Sequence, residues 1–169
     1  MTTARTIQLD ANRDPISLGF ASLASGGFTV DAKAGVIRGL TIIAAGEAKG
    51  HGFTVDDVML KQVAASINAK ADGVKSRLGH PSPVADSIAT MIGRVRDAVV
   101  KGQRVTADLH LARYARKSPH GDLRGYVLGL AGEDPSAAGM SIVFDPDEFE
   151  HVGEGEYVAR VKDVLAADL

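Results

Sequence analysis

The 169-residue chain has no cysteine. That excludes disulfide bonds, cysteine-ligated zinc and a thiol nucleophile, while leaving the compartment open. An uninterrupted apolar run of about 18 residues is also missing, and the N-terminus has no basic segment followed by an apolar one. Neither a membrane-spanning helix nor a signal peptide is expected, and no membrane partner. No dense Lys/Arg block occurs and the formal net charge is −2, which argues against nucleic acid as the main partner. Internal repeats and low-complexity segments are absent too. What is present, 45% hydrophobic and 24% charged residues, suits one soluble, cytoplasmic domain with an ordinary core.

Hydrophobic periodicity divides the chain. Residues 1–34 read as an N-terminal arm or edge strand with a short apolar run at 16–23, and the main domain spans 35–169. Gly35–Ala45 reads as a strand leading into the turn-like Gly46–Gly52. Thr54, with Asp57 three residues on, reads as a capping box opening a helix whose stripe is Val55, Val58, Met59, Val63 and Ile67. Residues 71–90 are loop-rich. Met91–Val100 and Arg104–Ala112 form a hairpin around Lys101-Gly102-Gln103. Ser118-Pro119 opens a second helix with the stripe Leu123, Tyr126, Val127 and Leu130, closed by Asp134-Pro135. Strands follow at 140–145, 148–151 and 157–165. Strands with two inserted helices predict an α+β fold, a mostly antiparallel sheet or barrel with flanking helices.

Against that background Gly139-Met140-Ser141-Ile142-Val143-Phe144 stands out. A lone serine lies in an apolar, β-branched run, and burying its hydroxyl unpaired costs about 1–3 kcal/mol. The bland reading is a hydroxyl bonded to backbone; the sharper one is a nucleophile presented from a strand. No G-x-S-x-G elbow and no S-x-x-K motif surrounds it, which disfavours an α/β-hydrolase. His80, in Arg77-Leu78-Gly79-His80-Pro81, is the candidate general base, set against a surface loop histidine. His51, His110, His120 and His151 form no H-E-x-x-H or H-x-H pair, so zinc has no local signature. A metal-dependent hydrolase built on His51, His80 and carboxylates is a minor rival. The acidic run Asp145-Pro146-Asp147-Glu148 with Glu150 reads as a solvated turn. A third residue to orient an imidazole has two candidates after Ser141: Asp168, at the close of an apolar run and so the more buried, and Asp163, expected to pair with Lys162 or Arg160.

Three segments carry a family likeness: Gly46–Phe53 before the first helix, Ser76–Pro81 followed by Gly93-Arg94-Val95, and Gly139–Phe144. Together they resemble the prohead (capsid maturation) proteases of tailed phages, whose fold is shared with herpesvirus assemblins. The resemblance implies an assemblin-like fold and a serine endopeptidase acting inside the phage prohead in the host cytoplasm. Its implied substrates are scaffolding protein or the major capsid protein, and the chain itself; it implies no cofactor, and relatives include homo-oligomers. It makes Ser141 the nucleophile, His80 the base and Asp168 the third residue, with Arg160 weighed as an electrostatic contributor. Val143 stands where many relatives have glycine. The chain also stops within an apolar element at Val164–Leu169, so a C-terminal scaffold-like extension is expected to follow. The rival of another class is an inactive capsid-assembly or scaffolding domain of the same fold.

Overall fold

Period-two patterning builds most of the molecule. The computed structural model describes residues 6–8, 14–23, 26–79 and 88–169. Its strands are β1 (Thr6–Gln8), β2 (Ile16–Ser22), β3 (Thr29–Asp31), β4 (Val36–Ala44), β5 (Gly46–Ala48), β6 (Phe53–Val55), β7 (Val74–Arg77), β8 (Met91–Lys101), β9 (Arg104–Leu111), β10 (Gly139–Gly153) and β11 (Glu156–Asp168). Two α-helices, α1 (Asp57–Asn68) and α2 (Leu123–Glu133), are inserted among them, with 3-10 turns at Ile88–Thr90, Arg113–Lys117 and Pro135–Ala137.

The strands join one sheet in the order β1-β10-β11-β7-β8-β9-β4-β3, with β2 on β10 and the β5–β6 pair attached through β11. This is an α+β fold. Among the described residues the ladder ends at β3 and does not close, so the barrel form of the expectation is corrected to an open mixed sheet. The reason is visible at β4: it lies against β10 and β2, yet among the described residues its backbone ladders run to β3 and β9.

The pairings are antiparallel except for two, both on β11, where β6 and β7 run parallel to it. Parallel neighbours finish at the same end of the sheet. With Ala166 level with Lys75, the last residues of β7 and β11 therefore arrive side by side.

Several local expectations shift. Thr54 lies in β6, and the helix starts at Asp57 with Asp56 as its N-cap, accepting from the Met59 N–H at 2.9 Å. The buried face of α1 is Met59, Leu60, Val63, Ala64 and Ile67, while Val58 is exposed. This helix packs on β11 and satisfies its irregular backbone: Gln62 Oε1 accepts from Val161 N and Ser66 Oγ from Val164 N. At its far end Asn68 grips Ala98 through two reciprocal bonds of 2.8 and 2.9 Å, beside the bulge in β8 where Asp97 takes φ +58°.

The hairpin falls where the alternation placed it, and Val105, Ala107 and Leu109 are fully buried. The second helix begins at Leu123 with Asp122 as its cap, because Ser118 and Pro119 are spent on a turn closed against Gly121. Tyr126 is 59% exposed and leaves the stripe, its place in the core taken by Ala131. The two short strands expected at 140–151 are one, since β10 runs fifteen residues and absorbs Pro146 at a register shift. Proline is tolerated there because the irregularity removes the need for its missing N–H.

Candidate functional site

Ser141 sits in β10 between β2, where Gly19 opposes it, and β11, where Asp168 opposes it. Directly opposed residues of an antiparallel pair project to the same face. Ser141 and Asp168 are thus neighbours on one face, 4% and 1% exposed. The Ser141 hydroxyl donates to the main-chain carbonyl of Asp168 at 3.5 Å, at the long limit of a hydrogen bond.

The Asp168 carboxylate is turned to β7. Its Oδ1 accepts from Arg77 N and Arg77 Nε at 3.0 Å each, and its Oδ2 accepts from Arg77 Nη2 at 2.7 Å. Both partners are buried, so the pair is desolvated and held by three bonds. Arg77 is the site residue the sequence reading missed, although it stands within the quoted Ser76–Pro81 segment. The available signal was an arginine ending a strand that feeds the loop of the candidate base.

Beyond Arg77 the parallel register continues as a clasp. Leu169 N donates to Arg77 O at 2.9 Å, and Gly79 N donates to Leu169 O at 2.6 Å. Gly79 takes φ +79°, a left-handed conformation that glycine adopts without the steric penalty of a Cβ. The chain is therefore fixed beside Asp168 up to the residue that precedes His80. His80 itself lies outside the described residues.

Asp163 is placed elsewhere. Its carboxylate accepts from Ser66 Oγ on α1 at 2.8 Å and pairs with Lys70, just past the end of that helix, in place of the expected Lys162 or Arg160. Burial pushes its pKa up, but the bonds from Lys70 and Ser66 and the Lys70 charge outweigh this and hold it below the ordinary value. Arg160 stands eight residues before Asp168 in β11, roughly 25 Å along the strand. Its guanidinium is divided between Asp56 and Glu150 at 2.8–3.0 Å. A contribution from Arg160 at Ser141 is thereby corrected: its charge is spent tying α1 to β10 and β11. Burial lowers the Arg160 pKa, but the bonds to Glu150 and Asp56 more than reverse this. Burial raises Asp56, yet the Arg160 bonds, the Met59 N–H and the Arg160 charge bring it below its usual range.

Among the described residues the metal-ligating types converge at Asp97, Asp108 and His110, whose ligand atoms lie within 4.8 Å of one another. Asp108 is already engaged by Gly39 N and Arg38 Nη1, and the group lies on β8–β9, not at Ser141. His110, expected to be solvated, has a buried Nε2 3.6 Å from Asp97 Oδ2. His51 is exposed in the turn after β5, its ring centroid 6.0 Å from that of Phe53.

What these residues define is a mixed, open α+β sheet with a buried strand serine facing an aspartate that an arginine clamps. No family model matches the chain, and no curated protein matches it. Among solved structures it is similar to the bacteriophage T4 capsid assembly protease gp21. The identity is 8%, the match covers 99% of this chain and 98% of that chain, and the TM-score is 0.47. No helix among the described residues is long and apolar enough to cross a membrane.

Proposed function

We propose that this chain is a serine endopeptidase of the prohead-maturation type, with Ser141 as nucleophile, His80 as general base and Asp168 as the third residue. One observation carries the reading. The serine and the acid singled out from sequence oppose each other across β10 and β11, and the segment entering His80 is hydrogen-bonded to Leu169, the next residue after that acid. This convergence of three segments far apart in sequence is what supports the triad reading.

In the proposed reaction His80 takes the Ser141 hydroxyl proton as Oγ bonds to a peptide carbonyl carbon. The proton then passes to the leaving amine as the C–N bond breaks, and water hydrolyses the acyl-enzyme with His80 again as base. Asp168 has the capacity to serve beside His80. A carboxylate offers about four acceptor positions, and Arg77 fills three. Arg77 is then a positioning residue, since it fixes the acid without touching the reacting atoms. The proposed substrates are scaffolding protein, or a scaffold region of the capsid protein, and the chain itself, within the prohead.

The rival is an inactive assembly domain of the same fold. The observation in its favour is that the Asp168 carboxylate is already so fully engaged. Incubation of wild type, Ser141→Ala and His80→Ala with phage scaffolding protein as substrate separates the two. Cleavage by the wild type alone is the expected result, and identical behaviour of all three overturns the proposal.

A further inference from the structure

We propose that the surface formed by the 3-10 turn Arg113–Lys117 and the first half of α2 docks the acidic end of the β10–β11 hairpin of a second copy of this chain. Residues 113–126 hold four Arg/Lys and a single acid, Asp122. That acid is spent as the helix cap, accepting from Gly125 N at 2.8 Å. Arg113, Arg116 and Lys117 are exposed, and none has a carboxylate partner among the described residues. Tyr114 and Tyr126, 57% and 59% exposed, stand on the same two elements. Exposed tyrosine with arginine is the composition of an interface core.

Arg124 adds a sharper mark. It is only 6% exposed, its Nε is buried without an acceptor, and it makes no ion pair with a described carboxylate. The guanidinium lies against Gly35, so close that a Cβ there would stand 2.1 Å from Nη2. A largely desolvated cation with no counter-charge strengthens the attraction for an incoming carboxylate.

The matching charge is carried by the same chain. Residues 145–156 hold six Asp/Glu and no Lys or Arg. Of these, Glu150 is held by Arg160, while Asp145, Asp147, Glu148, Glu154 and Glu156 have no basic partner among the described residues. Val152, 56% exposed, sits among them as an apolar counterpart to the tyrosines. The two surfaces lie apart in one molecule: α2 leads through Pro135–Ala137 into the start of β10, and the acidic segment occupies the far end of that fifteen-residue strand. No ion pair joins them within the chain among the described residues. The contact is accordingly between copies, head to tail, each copy using both surfaces.

The test is sedimentation of the full chain in a Ser141→Ala background, so that no processing alters it and the outcome is independent of the protease reading. Between roughly 10 and 200 µM at low salt the mean mass is expected to rise above that of one chain. About 0.5 M salt should return it to monomer. The pairs Arg116→Glu/Lys117→Glu and Glu154→Lys/Glu156→Lys, both folded by circular dichroism, should each stay monomeric. An equimolar mixture of the two should associate again, because each then presents the charge the other lacks. A wild type monomeric throughout, association indifferent to both reversals, or a mixture that stays monomeric would each overturn the proposal. Capture of polyglutamate by the basic surface without self-association would assign that surface to a foreign acidic peptide, and would overturn it too.

Discussion

Arg77 of β7 and Asp168 of β11 form a buried ion pair, Nη2 to Oδ2 2.7 Å, and Asp168 opposes Ser141 across the sheet. The pair joins the ends of two parallel strands, and the Leu169 clasp to Gly79 extends from it. Removing one partner of such a pair strands the other charge away from water. Arg77→Met or Asp168→Leu alone is therefore expected to cost about 3–5 kcal/mol in denaturant unfolding, with the double variant recovering most of that loss. Additive single losses would place the energy outside the pair.

The close approach of β8 to β9 depends on Gly93. A Cβ at this position would stand 2.0 Å from the His110 carbonyl oxygen, which is backbone and cannot swing aside. Gly93→Ala is expected to cost roughly 1–3 kcal/mol or more through forced strand separation, read as a fall in denaturation midpoint. Gly102→Ala, with open space around its Cβ, pays only for its positive φ and is the milder comparison.

Acid unfolding should report on the Arg160 cluster. Asp56 and Asp163 have folded pKa values below the ordinary aspartate value of 3.8. The unfolded chain therefore binds protons first as pH falls. The stabilisation is fully present above the unfolded value and drains as pH drops below 3.8 through the lowered folded values. Asp56→Asn keeps a competent helix cap but removes the titrating charge opposite Arg160. Thermal melts between about pH 7 and pH 3 should show a lower plateau and a flatter acid limb for the variant. An unchanged limb would contradict the assignment.

Much of this was legible in sequence for a simple reason: strands with one buried face print their period. Arg104–Leu111 alternates and is a strand, and the lone serine in Gly139–Phe144 does lie buried in one. What failed was what depends on partners distant in sequence. Tyr126 fits the helical stripe by spacing, yet it faces solvent because Ala131 fills the core position. Thr54 matches a capping box, but β5 and β11 claim it for a strand and Asp56 becomes the cap. The open sheet could not be told from a barrel, because closure is a property of β4 against β10 and no local pattern encodes it. Arg77 was passed over for the same reason: its meaning lies in Asp168, ninety-one positions on.

The proposed chemistry carries its own pH signature. A histidine base must be neutral to accept the Ser141 proton, so cleavage of a scaffolding substrate should rise with pH as the imidazole loses its proton. Arg77→Lys, which keeps the charge but loses the bidentate fork, should slow processing and displace that profile. A purely structural Arg77 would lower stability and leave the profile where it was.

The most direct measurement is covalent labelling of the folded protein with a fluorophosphonate, the adduct mapped by mass spectrometry. Phosphonylation requires an activated hydroxyl, whatever the natural substrate. The prediction is a single adduct on the peptide containing Ser141, abolished in Ser141→Ala and strongly reduced in His80→Ala. No adduct at Ser141 in the wild type, or equal labelling with His80 replaced, would contradict the serine–histidine centre.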